Sequence, residues 1–282
     1  MLLKRTLTAL VALPLLIAAV WFQQPIPWFT IFILAWSAVA AWEFFHLNRK
    51  AGLKPMAYFG IVISILLVAV REPAFISIFN TSSEGLSLAL LTIAIVIPLI
   101  WLLGREPRNE AFTSWAWTLA GICYVGFLMG YLVALRGLEN GRNWVFFALL
   151  ITFASDTAAF FIGRTFGSHK LAPAISPSKT WEGSIGGLLG AGLISLVFLP
   201  TAFASWSNPL HLPELNVWSA IGLAFLVSIF SQLGDLVESL FKRNMGAKDS
   251  GNILPGHGGT LDRMDSVAFA GVMVYYFVWL IL

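Results

Sequence analysis

The sequence is poor in charged residues and has almost no cysteine. Only 11% of its 282 residues are Asp, Glu, Lys or Arg, whereas about a quarter of an ordinary soluble domain is charged. This scarcity excludes an ordinary soluble globular domain. The single cysteine, Cys123, excludes an intrachain disulfide and a metal site built from several cysteines. We therefore interpret Cys123 as a small packing residue.

Apolar residues take the place of the missing charges, at 58% of the chain. A helix needs about 20 mainly apolar residues to cross a bilayer, and a helix satisfies its own backbone polar groups there. We therefore predict one all-α polytopic membrane domain over residues 1–282, with about nine transmembrane helices. The segments are roughly 6–22, 27–47, 55–70, 85–103, 112–135, 143–163, 184–205, 215–234 and 266–282.

The first apolar segment has two readings. Lys4 and Arg5 before an apolar run resemble the start of a signal peptide. No convincing small-x-small cleavage site precedes Trp21, and eight further segments follow. We expect an uncleaved first helix.

Positive charges gather on one side of the predicted segments. With the N-terminus in the cytoplasm, 14 of the 17 Lys and Arg residues lie in cytoplasmic segments, and only Arg71, Arg136 and Arg142 lie outside. Cytoplasmic loops of membrane proteins carry this excess. We predict a cytoplasmic N-terminus, a C-terminus on the opposite side, and a cytoplasmic active site built mainly from residues 156–183 and 235–265.

Residues 239–265 read SLFKRNMGAKDSGNILPGHGGTLDRMD and combine acids, bases and glycines between apolar segments. Carboxylates hold divalent cations, cations neutralise phosphate, and glycines let backbone N–H groups approach an anion. The combination predicts a phosphorylated substrate at the bilayer surface. The candidate catalytic residues here are Lys242, Arg243, Lys248, Asp249, His257, Asp262, Arg263 and Asp265, and Ser239, Gly258 and Gly259 are candidate substrate contacts.

Several of these residues have simpler readings. Lys242 and Arg243 alone would suit a helix that leaves the membrane with snorkelling basic ends. Asp262 and Asp265, spaced i and i+3 on one predicted helical face, would suit helix capping and the positive helix end. The neighbouring PGHGG turn is not explained by capping, so we predict a site here, most simply for a metal. His257 stays open between ligand, proton carrier and plain loop histidine.

The end of the eighth segment carries a polar helical face. Asp235, Glu238, Ser239 and Lys242 are spaced i, i+3, i+4 and i+7, which places them on the same side of a helix. Asp235 is the first charge after the apolar run. A carboxylate at that depth needs a cation or a partner, so Asp235 and Glu238 are candidate site residues.

The sixth segment and the loop after it add further candidates. Asp156 lies seven residues before Gly163, about 10 Å along a helix, and is read either as functional or as half of a structural ion pair. Lys179 and Glu182 belong either to a second phosphate contact or to an ordinary polar helix start. The overlapping pairs Gly183/Gly187 and Gly186/Gly190 predict close helix packing. We interpret Glu43 and His46, at the end of the second segment, as interfacial.

The 239–265 segment resembles the signature of the phosphatidate cytidylyltransferase family, also called CDP-diacylglycerol synthases. The fixed positions are met by Ser239, Phe241, Lys242, Arg243, Lys248, Asp249, Gly251, Leu254, Pro255, His257, Gly258, Gly259, Asp262, Arg263 and Asp265. The stretches SDTAAFFIGRTFG and SPSKTWEG are also similar to the family, whereas the N-terminal half is similar only in hydrophobicity.

The resemblance implies that the chain transfers the cytidylyl group of CTP to phosphatidic acid, releasing pyrophosphate. It implies that Asp235 and Asp262 hold a divalent metal, Mg²⁺, with room for a second cation. Lys242, Arg243, Lys248 and Arg263 would offset phosphate charge, and Asp156 and Lys179 would complete the pocket. The implied location is the bacterial inner membrane, in contact with the lipid bilayer.

Two alternatives remain from the residues themselves. One is another CTP-dependent membrane enzyme, such as a polyprenol kinase. The other is an ion-coupled transporter that uses Asp156, Asp235 and Glu238. Charge gathered at one membrane face favours an enzyme. No feature predicts a nucleic-acid partner, and the sequence leaves open whether the chain acts alone or as a homodimer.

Overall fold

Apolar runs fold into helices along most of the chain. The structure, a computed structural model, describes residues 2–22, 26–78, 81–104, 110–199, 208–251, 253 and 258–282, with only the backbone described for residues 2–9. The α-helices are α1 (Leu2–Trp21), α2 (Trp28–Lys50), α3 (Ala57–Ala69), α4 (Pro73–Ile76), α5 (Ser83–Leu102), α6 (Ala111–Gly121), α7 (Leu128–Arg136), α8 (Gly141–Phe166), α9 (Trp181–Ser195), α10 (Val217–Asn244) and α11 (Asp265–Ile281).

Six helical segments in the described part of the chain are long and apolar enough to cross a membrane. They are Trp28–Lys50, Ser83–Leu102, Ala111–Arg136, Gly141–Phe166, Trp181–Phe198 and Val217–Asn244. Shorter apolar helices cover Leu10–Trp21, Ala57–Ala69 and Asp265–Ile281. The prediction of a helical membrane protein is therefore confirmed.

The fifth predicted segment is one continuous helix of mixed type. A π-helical turn, Ile122–Phe127, joins α6 to α7. Gly126 lies inside this turn, and a Cβ there would come within 2.5 Å of the Ser64 Cα on α3. The glycine therefore allows α3 to approach the backbone of the π turn.

One short β-hairpin departs from the predicted all-helical architecture. Strand β1 (Lys170–Ala172) pairs antiparallel with β2 (Ser176–Thr180), with Lys170 opposite Thr180. Pro173 and Pro177 in this stretch oppose helix formation, because proline lacks an N–H and restricts the residue before it. Thr180 then caps α9, since its side chain accepts a hydrogen bond from the Gly183 N–H at 3.1 Å.

The described chain forms two compact units. Unit 1 consists of residues 1–137 and 244–264, and unit 2 consists of residues 138–243 and 265–282. A core cluster of unit 1 contains Ile63, Leu67, Ala94 and Ile122. The single membrane domain remains a prediction, because compactness of the parts does not show whether they fold independently.

Glycines bring α8 and α9 together in unit 2. A Cβ at Gly183 would lie 2.8 Å from the Ala159 carbonyl oxygen, and one at Gly190 would lie 3.1 Å from that of Ala154. Both carbonyls belong to α8, so side chains at these glycines would push the two helices apart. The predicted close packing of the glycine pairs is confirmed.

We expect Gly190→Ala to destabilise the protein, because its methyl group would also lie 2.5 Å from the Ala158 Cβ. Overpacking of this kind costs about 1–3 kcal/mol, so the thermal midpoint in detergent should fall. Gly222→Ala on α10 is the matched control, since nothing lies within 4 Å of its added Cβ. An equal fall in both variants would contradict the packing role of Gly190.

Candidate active site

A cavity of about 730 Å³ in unit 2 contains three of the predicted site residues. The walls come from α8, the hairpin, the start of α9 and the middle of α10. The predicted site residues among its lining are Asp156, Lys179 and Asp235. Its further polar lining consists of Arg164, Lys170, Ser176, Ser178, Thr180, Ser184 and Gln232.

An ion pair joins the hairpin to α10 in this cavity. Lys179 Nζ lies 2.8 Å from Asp235 Oδ2, and it also donates to the Gln232 carbonyl at 3.2 Å. The Lys179 side chain is 20% exposed and that of Asp235 is 38% exposed. The pair is therefore open to the cavity. Asp235 was predicted to need a cation, and within unit 2 Lys179 is that cation.

A polar network behind the ion pair holds the cavity wall in place. Gln232 accepts from Ser184 Oγ at 2.5 Å, and its Nε2 donates to Ser228 Oγ at 3.1 Å. Ser228 Oγ in turn lies 2.7 Å from Ser155 Oγ. The network ties α8, α9 and α10 together with hydrogen bonds. Sequence reasoning missed Ser184 and Gln232, because neither is charged.

The predicted polar face of α10 is confirmed. Ser239 Oγ donates to Asp235 Oδ1 at 3.4 Å, and Lys242 Nζ forms an ion pair with Glu238 one turn earlier. Glu238 is fully buried, and Lys242 is mostly buried. Since the charge of Lys242 is compensated by Glu238, a role of Lys242 at a phosphate stays a prediction.

Asp265, another predicted catalytic residue, also belongs to unit 2. It begins α11, is buried, and accepts from the Ser266 N–H at 2.7 Å. Asp262 lies in a 3-10 turn, Leu261–Arg263, and α11 starts at Asp265, so the two acids do not belong to one α-helix. The predicted shared face stays a prediction.

Two further predicted contacts are placed by the hairpin. Glu182, in the first turn of α9, lies 2.6 Å from His169 Nδ1 and also accepts from the His169 N–H. Arg243 Nε donates to the Ile175 carbonyl at 3.3 Å. Both contacts fix the hairpin against neighbouring helices of unit 2, and they leave the predicted substrate roles of Glu182 and Arg243 untested.

In unit 1, described residues of the signature segment converge on Asp262. Its Oδ2 accepts three hydrogen bonds, from the Gly259 N–H at 2.8 Å, the Ser250 N–H at 3.0 Å and Ser250 Oγ at 2.9 Å. Gly258 has a φ of +82°, and a Cβ there would lie 2.8 Å from the same oxygen. Glycine is therefore required at 258 for both conformation and space.

Glu43 corrects the interfacial reading made from the sequence. It lies on α2 and is fully buried, and its Oε2 accepts from the Leu261 N–H at 2.8 Å. The signal was available, since the rule that singled out Asp156 as an acid within an apolar segment applies equally to Glu43.

Lys248 and Asp249 line a second cavity of about 750 Å³ within unit 1. The opposite wall comes from α2, where the rings of Trp42 and His46 stack 4.9 Å apart, and from Lys50. Lys248, Asp249 and Arg263 are exposed. His257 lies outside the described residues.

The acidic residues supply the hard oxygen donors that Mg²⁺ prefers. Asp235 faces a cavity and is partly exposed, which suits a metal ligand. Within the described ranges, no group of three or more His, Cys, Asp or Glu side chains is arranged to hold an ion.

The fold and the cavity define an integral membrane protein whose acidic and basic side chains meet around a space of ligand size. A family model described as the cytidylyltransferase family matches residues 3–281. The chain therefore belongs to the cytidylyltransferase family, and it is a nucleotidyltransferase. The resemblance seen in the signature segment is confirmed.

Individual relatives are similar over most of the chain. A phosphatidate cytidylyltransferase of Staphylococcus haemolyticus is 35% identical over 265 residues, which cover 94% of each chain. One from Bacillus subtilis is 34% identical over 249 residues, covering 88% of this chain and 87% of the relative. One from Staphylococcus aureus is 43% identical over 159 residues, which cover 56% of this chain and 57% of the relative.

Proposed function

We propose that this protein transfers the cytidylyl group of CTP to phosphatidic acid and so makes CDP-diacylglycerol for phospholipid biosynthesis. The observation that carries the proposal is the similarity to phosphatidate cytidylyltransferases along nearly the whole chain. The helical membrane fold supports it, because one substrate is a bilayer lipid.

The reaction needs no nucleophile from the protein. An oxygen of the phosphatidate phosphate attacks the α-phosphorus of CTP, the new P–O bond forms, and the bond to the β-phosphate breaks. Pyrophosphate carries away the electron pair. Since both reactants are anions, the protein has to bring them together and to neutralise their charge.

The cavity of unit 2 supplies cations for that purpose. Lys179 is held in place by Asp235 and the Gln232 carbonyl, while its ammonium group faces the cavity. Arg164 and Lys170 line the same space. A phosphate that enters this cavity would meet three basic side chains and could draw Lys179 away from Asp235. We assign Lys179 to a substrate phosphate.

Mg²⁺ is part of the proposal, with Asp235 and Asp262 as its ligands. When bound, the ion would polarise a phosphoryl oxygen and offset developing negative charge. Asp235 belongs to unit 2 and Asp262 to unit 1, so their pairing on one ion rests on the sequence resemblance. The second cation remains a prediction on the same basis.

We also propose nine transmembrane segments in the bacterial inner membrane, with the N-terminus and the loops 164–183 and 235–265 in the cytoplasm. The Lys and Arg distribution supports this orientation. Three of the segments correspond to the shorter apolar helices. The proposal makes no use of a homodimer, which stays a prediction.

Isotope labels should identify the reaction. We expect label at the α-phosphate of CTP to appear in a lipid product and label at the γ-phosphate to leave as pyrophosphate, when the purified protein shares a bilayer or micelle with phosphatidate. A lipid carrying the γ-label would indicate a kinase. Solute flux across proteoliposomes without any labelled lipid would indicate a transporter.

Removing either proposed metal ligand should greatly reduce turnover. We expect Asp235→Asn and Asp262→Asn each to lower kcat by about 100-fold or more, and a chelator to abolish wild-type activity. Because ligands of one ion act as a unit, the double variant should be scarcely slower than either single variant.

Glu84→Gln is the control for the metal experiment, because Glu84 is an exposed acid in the first turn of α5. Its kcat should match the wild type. Additive losses in the double variant, or normal turnover in folded Asp262→Asn, would contradict a shared ion.

Single-cysteine labelling should test the orientation, in a Cys123→Ser background. Lys248→Cys and His211→Cys place the thiol at exposed positions. An impermeant maleimide added to intact spheroplasts should label position 211 only, and permeabilised cells should also show labelling at position 248. Labelling of position 248 in intact spheroplasts would overturn the cytoplasmic placement of the signature segment.

A further inference from the structure

Glu43 connects α2 to the signature segment inside unit 1. Besides the bond from the Leu261 N–H, its Oε2 lies 3.3 Å from Ser250 Oγ. Trp36, two turns earlier on α2, donates its indole N–H to the Thr260 carbonyl at 3.1 Å. Helix α2 therefore contacts Thr260 and Leu261 directly, and it contacts Asp262 through Ser250.

Ser250 relays the contact from Glu43 to Asp262. The Ser250 hydroxyl donates to Asp262 Oδ2 at 2.9 Å, and it receives the Asp262 N–H at 3.3 Å. Ser250 itself is buried. The Ser250 hydroxyl thus lies within hydrogen-bond distance of both carboxylates, and its one proton is donated to either Asp262 Oδ2 or Glu43 Oε2. A shift of one carboxylate would therefore change the hydrogen bond to the other.

The glycines of the segment leave room for Glu43. A Cβ at Gly259 would lie 2.6 Å from Glu43 Oε2, and a Cβ at Gly251 would overlap the Glu43 carboxylate. No side chain fits at either position while Glu43 keeps its place. The packing of α2 explains Gly251, and Gly259 is explained by Ser250, whose Oγ would overlap an added Cβ, together with Glu43. The predicted contact of Gly259 with phosphate remains untested.

Burying a carboxylate costs free energy that hydrogen bonds or a countercharge must offset, and an apolar side chain of similar size would avoid that cost. A carboxylate at position 43 therefore calls for a role beyond packing. We infer that Glu43 is a positioning residue that fixes the carboxylate of Asp262, through Ser250 and the Leu261 amide, in the geometry needed for cytidylyl transfer. The inference rests on the proposed role of Asp262. It assigns a function to an α2 residue outside the signature segment.

Glu43→Leu removes the acceptor while keeping similar volume, and Glu43→Gln keeps one acceptor oxygen. We expect Glu43→Leu to lower kcat by about 100-fold, since a displacement of about 1 Å in a site can cost that much. Glu43→Gln should recover part of this loss. Ser250→Ala should also lower kcat, and it provides the test if a Glu43 variant does not fold.

Hydrogen–deuterium exchange gives a second readout that needs no substrate. In Glu43→Leu the backbone amides of 258–264 should exchange faster, while exchange in α3 stays unchanged and the thermal midpoint stays within a few degrees of the wild type. A purely structural role would instead speed exchange throughout unit 1.

The same two substitutions at Glu72 are the matched control. Glu72 is also a buried carboxylate of unit 1, but it accepts from Thr30 and from the Ala74 N–H, away from the signature segment. Its variants should leave exchange at 258–264 unchanged, and any loss of activity should follow the loss of folded protein.

Three results would overturn the inference. The first is a kcat of Glu43→Leu within about threefold of the wild type, since that loss is far smaller than the one expected. The others are equal losses of kcat in the Glu72 variants, or unchanged amide exchange at 258–264 in Glu43→Leu. Normal turnover in Asp262→Asn would remove the proposed role of Asp262 instead. The exchange experiment would still report whether Glu43 holds the segment, so the two failures are distinguishable.

Discussion

The structure depends on the cost of placing carboxylates in an apolar, membrane-embedded chain. Each buried acid of the candidate site has its own partner: Glu238 has Lys242, and Glu43 has the Leu261 amide and Ser250. Asp235, which is only partly buried, has Lys179. Because lipid offers no hydrogen bonds, these partners decide where helices, hairpin and loops can lie.

Glycines lie at several positions where a side chain would block a buried polar contact. Gly259 and Gly251 make room for Glu43, Gly258 supplies a positive φ beside Asp262, and Gly187 lies against Ser155 and Gln232. In each case the missing side chain lets a polar group reach its partner. The glycines that look like a phosphate-binding pattern in the sequence therefore also serve the internal packing of the fold.

Contacts within one helix were predictable and contacts between distant segments were not. The polar face of α10 followed from the spacing of Asp235, Glu238, Ser239 and Lys242, because helical geometry fixes neighbours at i+3 and i+4. The Glu43–Leu261 bond joins residues 218 positions apart. No local period relates them, and the hairpin that presents Lys179 to Asp235 depends on tertiary contacts in the same way.

The sequence by itself determined the membrane-spanning helical class and the family, because hydrophobic length and a dense motif are local properties. It also predicts which segments carry the chemistry. The tertiary structure decided which charges are already paired, which glycines serve packing, and that Glu43 is a buried partner of the signature segment rather than an interfacial residue. Those outcomes depend on burial and on hydrogen-bond geometry, which exist only when the helices have packed.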